Sequence, residues 1–83
     1  MAEKRNLILT ITRVDQPVFS GQVEYVTVPG IDGEMTLLAE HAALISPLKE
    51  GVIRYKEIGK EAAELAVKMG TLEISNNHAT VLI

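Results

Sequence analysis

Short stretches with an apolar residue at every second position run along the chain, separated by turn-forming residues. Residues 7–14 place Leu7, Leu9 and Ile11 on one face and end in β-branched types, which predicts a strand. Comparable runs follow at 22–28, 34–38, 52–56, 71–74 and 80–83. The intervening turn signals recur roughly every 8–12 residues, as in β-sandwiches and barrels. The pattern therefore predicts an all-β protein with mainly antiparallel strands.

Two of the turns stand out. Residues 29–33 combine Pro29, Gly30, Asp32 and Gly33 within one short segment, and Asp-Gly is a strong hairpin signal. This segment predicts a tight, exposed loop. The pair Asn76-Asn77 separates two strand-like runs and predicts a second hairpin, in which 71–74 pairs with 80–83.

Residues 60–69 conflict with this pattern. They are almost entirely strong helix formers, and Ala62, Leu65, Ala66 and Met69 recur at helical spacing. The segment nevertheless lies between two predicted strands, and as an antiparallel partner of 52–56 it needs no crossover connection. Propensity is a weak guide that tertiary context overrides. The residues alone leave helix and strand open, and we interpret the segment as a strand.

Length and composition limit the protein further. With 83 residues, 47% of them hydrophobic, we expect residues 1–83 to form a single domain with one aliphatic core. The chain has no cysteine, a net charge of -3 and scattered charges, which argues against disulfides, thiolate metal sites and nucleic-acid binding. No run approaches the roughly 20 apolar residues of a membrane helix. The basic pair within 1–6 precedes no signal-peptide pattern.

Candidate chemistry is sparse. His41 and His78 have no partner at metal-ligand spacing, the serines have no nucleophile motif, and Gly30–Gly33 is not a phosphate-binding loop. We therefore expect no catalytic residue, no metal and no cofactor. A small hydrolase that uses His41 with Glu40 or Glu34 is a remote alternative. Because Glu34 follows an exposed turn, a contact residue at a loop tip is its better interpretation.

Five motifs in a fixed order carry a resemblance to the epsilon subunit of F-type ATP synthase, which extends from about Leu7 to the last residue. The motifs are Phe19-Ser20-Gly21-x-Val23-Glu24, Val28-Pro29-Gly30-x-Asp32-Gly33-Glu34, His41-Ala42-x-Leu44-Ile45-x-x-Leu48-x-x-Gly51, Gly70-x-Leu72-Glu73-Ile74 and Val81-Leu82. The resemblance implies the family's N-terminal domain, a flattened sandwich of about ten short strands. It also favours a strand at 61–68.

The resemblance further implies a non-catalytic rotor subunit in the central stalk. Such a subunit links the gamma subunit to the c ring, so that ion flow through the ring is coupled to ATP synthesis. It is peripheral to the membrane, here expected at the cytoplasmic face of a bacterial cell membrane. The implied contacts with the c ring and gamma are Gly30, Ile31, Asp32, Gly33, Glu34, His41 and Ala42, all at one foot of the domain. Gamma would also bind a sheet face or edge, which the sequence does not specify.

The chain departs from the family pattern at several positions. Ala39-Glu40 stands where proline followed by glycine or asparagine is usual, and Thr36, Ala43 and Met69 replace other common residues. The family's C-terminal helical hairpin, which inhibits ATP hydrolysis, has no counterpart in the 83 residues. If the natural chain also ends at this position, we expect coupling without that brake; if it is longer, the hairpin lies outside the 83 residues. The alternative function is a free-standing β-sandwich adaptor that binds other protein partners.

Overall fold

The predicted alternating runs all form strands in the computed structural model, which describes residues 6–83. The basic pair Lys4-Arg5 lies outside the described residues. Within them the chain forms eight strands: β1 Leu7–Thr12, β2 Pro17–Gly30, β3 Gly33–Leu37, β4 Leu44–Leu48, β5 Gly51–Glu57, β6 Ala62–Val67, β7 Gly70–Ser75 and β8 His78–Leu82. The all-β prediction is therefore confirmed, with eight strands in residues 6–83 where about ten were expected.

The core follows directly from the alternation. In β1, Leu7, Leu9 and Ile11 are all buried, as their shared face predicts. The other strands bury the same kind of side chain: Val23, Val26, Val28, Leu37, Leu48, Ile53, Val67, Leu72, Ile74, Ala79 and Val81. Phe19 and Tyr55 pack against this core with ring centroids 4.5 Å apart. The core is aliphatic, as the composition requires.

The strands form one hydrogen-bonded sheet that folds over this core. One layer runs β1-β8-β7-β4, and the other contains β3, β2, β5 and β6. Neighbours are antiparallel except that β1 and β8 pair in parallel within residues 6–83. The hairpin predicted across Asn76-Asn77 is confirmed, because Thr71 pairs with Leu82 and Ser75 with His78.

Strand β2 joins the two layers. Its first half pairs with β1, from Pro17 opposite Thr12 to Val23 opposite Leu7. Its second half pairs with β3 and β5 instead, after an irregularity in register between Val23 and Tyr25. Strand β2 extends over 14 residues, so the run predicted at 22–28 is the second part of a longer strand. This continuity contributes to the lower strand count.

Strand β6 resolves the conflict over residues 60–69. It pairs antiparallel with β5, from Gly51 opposite Val67 to Lys56 opposite Ala62, as the strand interpretation predicted. Alternation of period two is also present, since Leu65 and Val67 turn towards the core and Ala66 is exposed. Burial of one face against the core therefore overrides the helical propensity of the segment.

Because Ala66 is a weak strand former at an exposed position of β6, replacing it should stabilise the fold. Ala66→Thr is expected to raise the free energy of unfolding by up to about 1 kcal/mol, since β-branched residues suit strands. Urea denaturation followed by circular dichroism measures the change. Lys68→Thr, just beyond β6, is the control and should change stability by less than about 0.5 kcal/mol. A loss of stability in Ala66→Thr would contradict the strand.

Candidate functional site

A tight turn joins β2 and β3 within the loop predicted over residues 29–33. The exposed part of that loop is shorter than predicted, because Pro29 and Gly30 belong to β2 and are buried. Gly30 pairs with Gly33, so that Ile31 and Asp32 form a two-residue tip. Gly33 has a φ of 137°, a backbone conformation that favours glycine. A Cβ atom on Gly30 would lie 2.6 Å from the carbonyl oxygen of Gly33. Steric constraints therefore disfavour a larger residue at either glycine. At the tip of the turn, 54% of the surface of Ile31 is exposed.

The turn is fastened at its base to the β4–β5 connection. The Ile31 N–H donates to the Pro47 carbonyl oxygen at 3.1 Å, and the Lys49 N–H donates to the Pro29 carbonyl oxygen at 2.9 Å. Gly30 also pairs with Leu48. The tip therefore projects from a base that is hydrogen-bonded on both sides.

A shallow groove of about 330 Å³ lies between this turn and β4. Its walls combine predicted contact residues with a strand that the sequence interpretation had not assigned to the site: Gly30, Asp32, Gly33, Glu34, Met35, Leu44, Ile45, Ser46 and Pro47. Ile45 is 67% exposed although it is a large aliphatic residue. The sequence carried a signal for it, because Ile45 is out of phase with the buried Leu48.

Glu34 lies close enough to Arg54 of β5 to interact with it electrostatically. Arg54 is bound mainly by Glu64, through a hydrogen bond of 2.9 Å from Nε and a contact of 2.8 Å from Nη2. The hydrogen bond and charge of Glu64 raise the pKa of Arg54, and Glu34 contributes to the same shift. Glu34 contributes less to this shift than Glu64 does, and the charge of Arg54 is paired mainly with Glu64.

His41 and Ala42 lie in the loop between β3 and β4. The His41 N–H donates to the Leu38 carbonyl oxygen at 3.3 Å. Its ring Nδ1–H donates to the Ala42 carbonyl oxygen at 2.8 Å, since a carbonyl can act as an acceptor alone. Both residues are exposed. The loop thus presents His41 and Ala42 at the surface with the imidazole held against its own backbone.

The predicted contact residues form two groups. Gly30–Glu34 surround the start of β3, whereas His41 and Ala42 follow the end of that strand. With five residues in β3, the two groups are separated by on the order of 13 Å along the strand. The expectation that all of them lie at one foot of the domain is therefore wrong: the structure brings the turn residues together and places the loop residues at the opposite end of β3.

The outer faces of the two layers differ in charge. The β3-β2-β5-β6 layer exposes paired charges, including Arg54 with Glu64 and Lys56 with Glu24. On the β1-β8-β7 part of the other layer, Glu73 is the acidic residue among the described outward side chains: Ile8, Thr10, Thr12, Thr71, Glu73, Ser75, His78, Thr80 and Leu82. This second face is rich in hydroxyl and apolar groups, a composition closer to that of protein interfaces.

The described part of the chain offers neither a metal centre nor a membrane-spanning helix. Residues 6–83 contain no cluster of three or more histidine, aspartate or glutamate side chains that could hold a metal ion. The same residues include no helix of the length and apolar character needed to cross a membrane.

Fold and surface together define a class: a small all-β sandwich whose candidate contact residues lie in exposed turns and loops. The sequence profile described as ATP synthase, Delta/Epsilon chain, beta-sandwich domain matches residues 6–83. The chain belongs to this family. The match covers every strand of the fold and confirms the resemblance in the sequence.

Relatives agree with this assignment. The chain is 40% identical over 72 residues to ATP synthase epsilon chain 1 of Methylococcus capsulatus, covering 87% of this chain and 51% of the relative. It is 41% identical to the ATP synthase epsilon chain of Dehalococcoides mccartyi, covering 92% and 54% respectively. The chain therefore spans about half the length of these curated relatives.

A solved structure shares the fold. A chain of the Euglena gracilis mitochondrial ATP synthase, in a cryo-EM structure of OSCP, F1 and the c ring, superposes with a TM-score of 0.87. The match covers 93% of this chain and 49% of that chain, at 23% sequence identity. At this identity the similarity concerns the arrangement of strands.

Proposed function

We propose that this β-sandwich is part of a non-catalytic rotor subunit in the central stalk of an F-type ATP synthase. In this role it links the gamma subunit to the c ring and couples ion flow to ATP synthesis. The observation that carries the proposal is the family match over residues 6–83, in which the relatives are epsilon chains. The subunit would be peripheral to the membrane, at the cytoplasmic face of a bacterial cell membrane.

The turn between β2 and β3 is the proposed contact with the c ring. Ile31 supplies an exposed apolar tip, and Asp32 and Glu34 supply carboxylates beside it. A basic group on the ring could pair with these carboxylates at the rim of the contact. Rim charges of this kind chiefly set orientation and association rate.

The second group, His41 and Ala42, lies at the opposite end of β3 from the turn and is the proposed contact with gamma. We assign the charge-poor face of β1, β8 and β7 to gamma as well. Its hydroxyl and aliphatic side chains lose little on desolvation compared with the ion pairs of the opposite face. Gamma would then cover a sheet face, and the turn would remain available to the ring.

Reversing the charge at Glu34 should weaken binding to the c ring. Glu34→Lys is expected to raise the Kd for the isolated ring by about 5- to 50-fold at low salt, since it exchanges attraction for repulsion. The difference should shrink at about 0.5 M salt because screening shortens the range of exposed charges. Surface plasmon resonance with immobilised ring gives both values.

Glu61→Lys is the matched control for this experiment. It changes the net charge by the same amount, but Glu61 lies in the β5–β6 connection, beyond the end of β5 that is remote from the turn. Its Kd should stay within about twofold of the unaltered chain. An equal Kd for Glu34→Lys and the unaltered chain would remove Glu34 from the interface.

Co-purification with gamma tests the rotor assignment as a whole. A stoichiometric complex with the gamma subunit of the same organism is expected to persist through size-exclusion chromatography. If no such complex forms, the rotor assignment fails and the free-standing adaptor is the remaining interpretation.

A further inference from the structure

Three residues other than glycine adopt a left-handed backbone within residues 6–83, and two of them, Glu40 and Asn77, hydrogen-bond to each other. Glu40 has a φ of 68°, Asn76 of 50° and Asn77 of 61°. This conformation costs most residues about 1 kcal/mol or more, although asparagine tolerates it well. Strain of this kind persists where the surrounding structure holds it, and it clusters at functional positions. Glu40 is the most unusual of the three.

The side chain of Asn77 joins two segments that are far apart in sequence. Its Oδ1 accepts the Glu40 N–H at 2.5 Å, and its Nδ2 lies 3.5 Å from the Glu40 carboxylate oxygen Oε1. The carbonyl oxygen of Asn77 also accepts the Ile8 N–H at 2.9 Å. The backbone N–H of Glu40 can only donate a hydrogen bond. The amide atom that faces it must therefore be the oxygen Oδ1, which fixes the orientation of the Asn77 amide.

This contact acts on the loop that carries two proposed partner contacts. Glu40 directly precedes His41 and Ala42, and the His41 N–H closes a turn onto Leu38. The hydrogen bonds of His41 remain within the loop. The hydrogen bond from Glu40 to Asn77 instead leaves the loop. Asn77 belongs to the β7–β8 hairpin, whose strands pair with the rest of the sheet. It therefore provides a fixed point for the loop.

We propose that Asn77 is a positioning residue: its amide holds Glu40 and thereby fixes the orientation in which His41 and Ala42 meet a protein partner. The inference rests on the proposed function, because it takes His41 and Ala42 as contacts with the gamma subunit of the rotor. The Asn77 amide fits this role because it hydrogen-bonds to both the backbone N–H and the side-chain carboxylate of Glu40.

The hairpin allows the amide to be removed without disturbing the turn. Asn77→Gly keeps a residue that accepts a positive φ, and Asn-Gly is the most favoured pair in two-residue hairpins. Asn76→Gly is the matched control, since it makes the same chemical change one position earlier and retains the Asn77 amide. Differences between these two variants therefore report on the side chain of Asn77.

The first measurement is hydrogen exchange of the Glu40 amide by NMR. In Asn77→Gly we expect the Glu40 amide to exchange about tenfold faster than in the unaltered chain, because it has lost one hydrogen bond. In Asn76→Gly exchange should stay within about twofold. This readout requires no partner. Unchanged exchange in Asn77→Gly would overturn the proposal.

The second measurement is the Kd for a purified complex of the gamma subunit and c ring from the same organism. We expect Asn77→Gly to raise the Kd by about three- to tenfold, since a mobile loop loses entropy on binding. Asn76→Gly should bind as tightly as the unaltered chain. If Glu40 exchange accelerates while the Kd is unchanged, the positioning role is wrong and the rotor assignment stands. If the unaltered chain does not bind at all, the proposed function fails, and this inference fails with it.

A rescue experiment distinguishes positioning from a general effect on the hairpin. Asn77→Asp places a carboxylate against that of Glu40 and should weaken partner binding. The double variant with Glu40→Gln again has one carboxylate and one amide across the contact, with the carboxylate now at position 77 and the amide at position 40. Recovery of the Kd to within about threefold of the unaltered chain is expected, because the pair can again hydrogen-bond. Failure of the double variant to recover would contradict the pairing.

Discussion

Replacing Leu72 by alanine is expected to cost about 2–5 kcal/mol of unfolding free energy, the range found when a large buried aliphatic side chain is truncated. Leu72 is fully buried in β7, and its partners on both sides are core strands. For a domain of this size such a loss is a large share of the total, which is typically 5–15 kcal/mol. Urea denaturation at 25 °C should show a lower midpoint with an unchanged slope.

Ile45→Ala is the control for this experiment. It removes an aliphatic side chain of the same size class from β4, which pairs with β7, but 67% of Ile45 is exposed. The expected loss is below about 1 kcal/mol, because little apolar surface returns to water. A comparable loss in both variants would contradict the placement of the core.

Substituting Gly30 by alanine should produce the second large effect. The new Cβ would lie 2.6 Å from the Gly33 carbonyl oxygen and 2.9 Å from Cε of Met35. The first of these atoms is backbone and cannot move without opening the turn. We expect a loss of about 3 kcal/mol, the upper end of typical overpacking costs. Weaker c-ring binding is expected at the same time, because the carboxylates of Asp32 and Glu34 would be displaced.

Gly21→Ala separates this steric effect from a general effect of glycine replacement in β2. Its Cβ would approach Cζ of Phe19 at 3.1 Å, an aromatic ring edge that can shift slightly. The expected loss is below about 1 kcal/mol, with unchanged ring binding. If Gly30→Ala is as stable as Gly21→Ala, the turn is more open than the structure shows.

Local patterns predicted much of the fold because the determining interactions are local. The alternation of Leu7, Leu9 and Ile11 specifies the buried face of β1 without reference to any other strand. The Asn76-Asn77 hairpin joins strands that are adjacent in sequence, so its pairing follows from the turn. Residues 60–69 show the limit of such reasoning, because their strand conformation depends on burial against a core that composition does not reveal.

The contact surface was less accessible to prediction. The contact between Glu40 and Asn77 joins residues 37 apart, and no pattern in either segment indicates the other. One signal was present in the resemblance, which implies glycine or asparagine near the position of Glu40. These residues tolerate the left-handed conformation that Glu40 adopts. Likewise, the proximity of Glu34 to Arg54 depends on the register of β2 against both β3 and β5.

The continuity of β2 has a mechanical consequence. A force applied at Ile31 and Asp32 enters the sheet along a strand that is hydrogen-bonded in succession to β3, β5 and β1. Hydrogen bonds of several neighbouring strands then carry the load in parallel, and their shear resistance exceeds that of a loop joined at one point. In a rotor, torque received at the turn would therefore be delivered to the whole sandwich with little elastic lag.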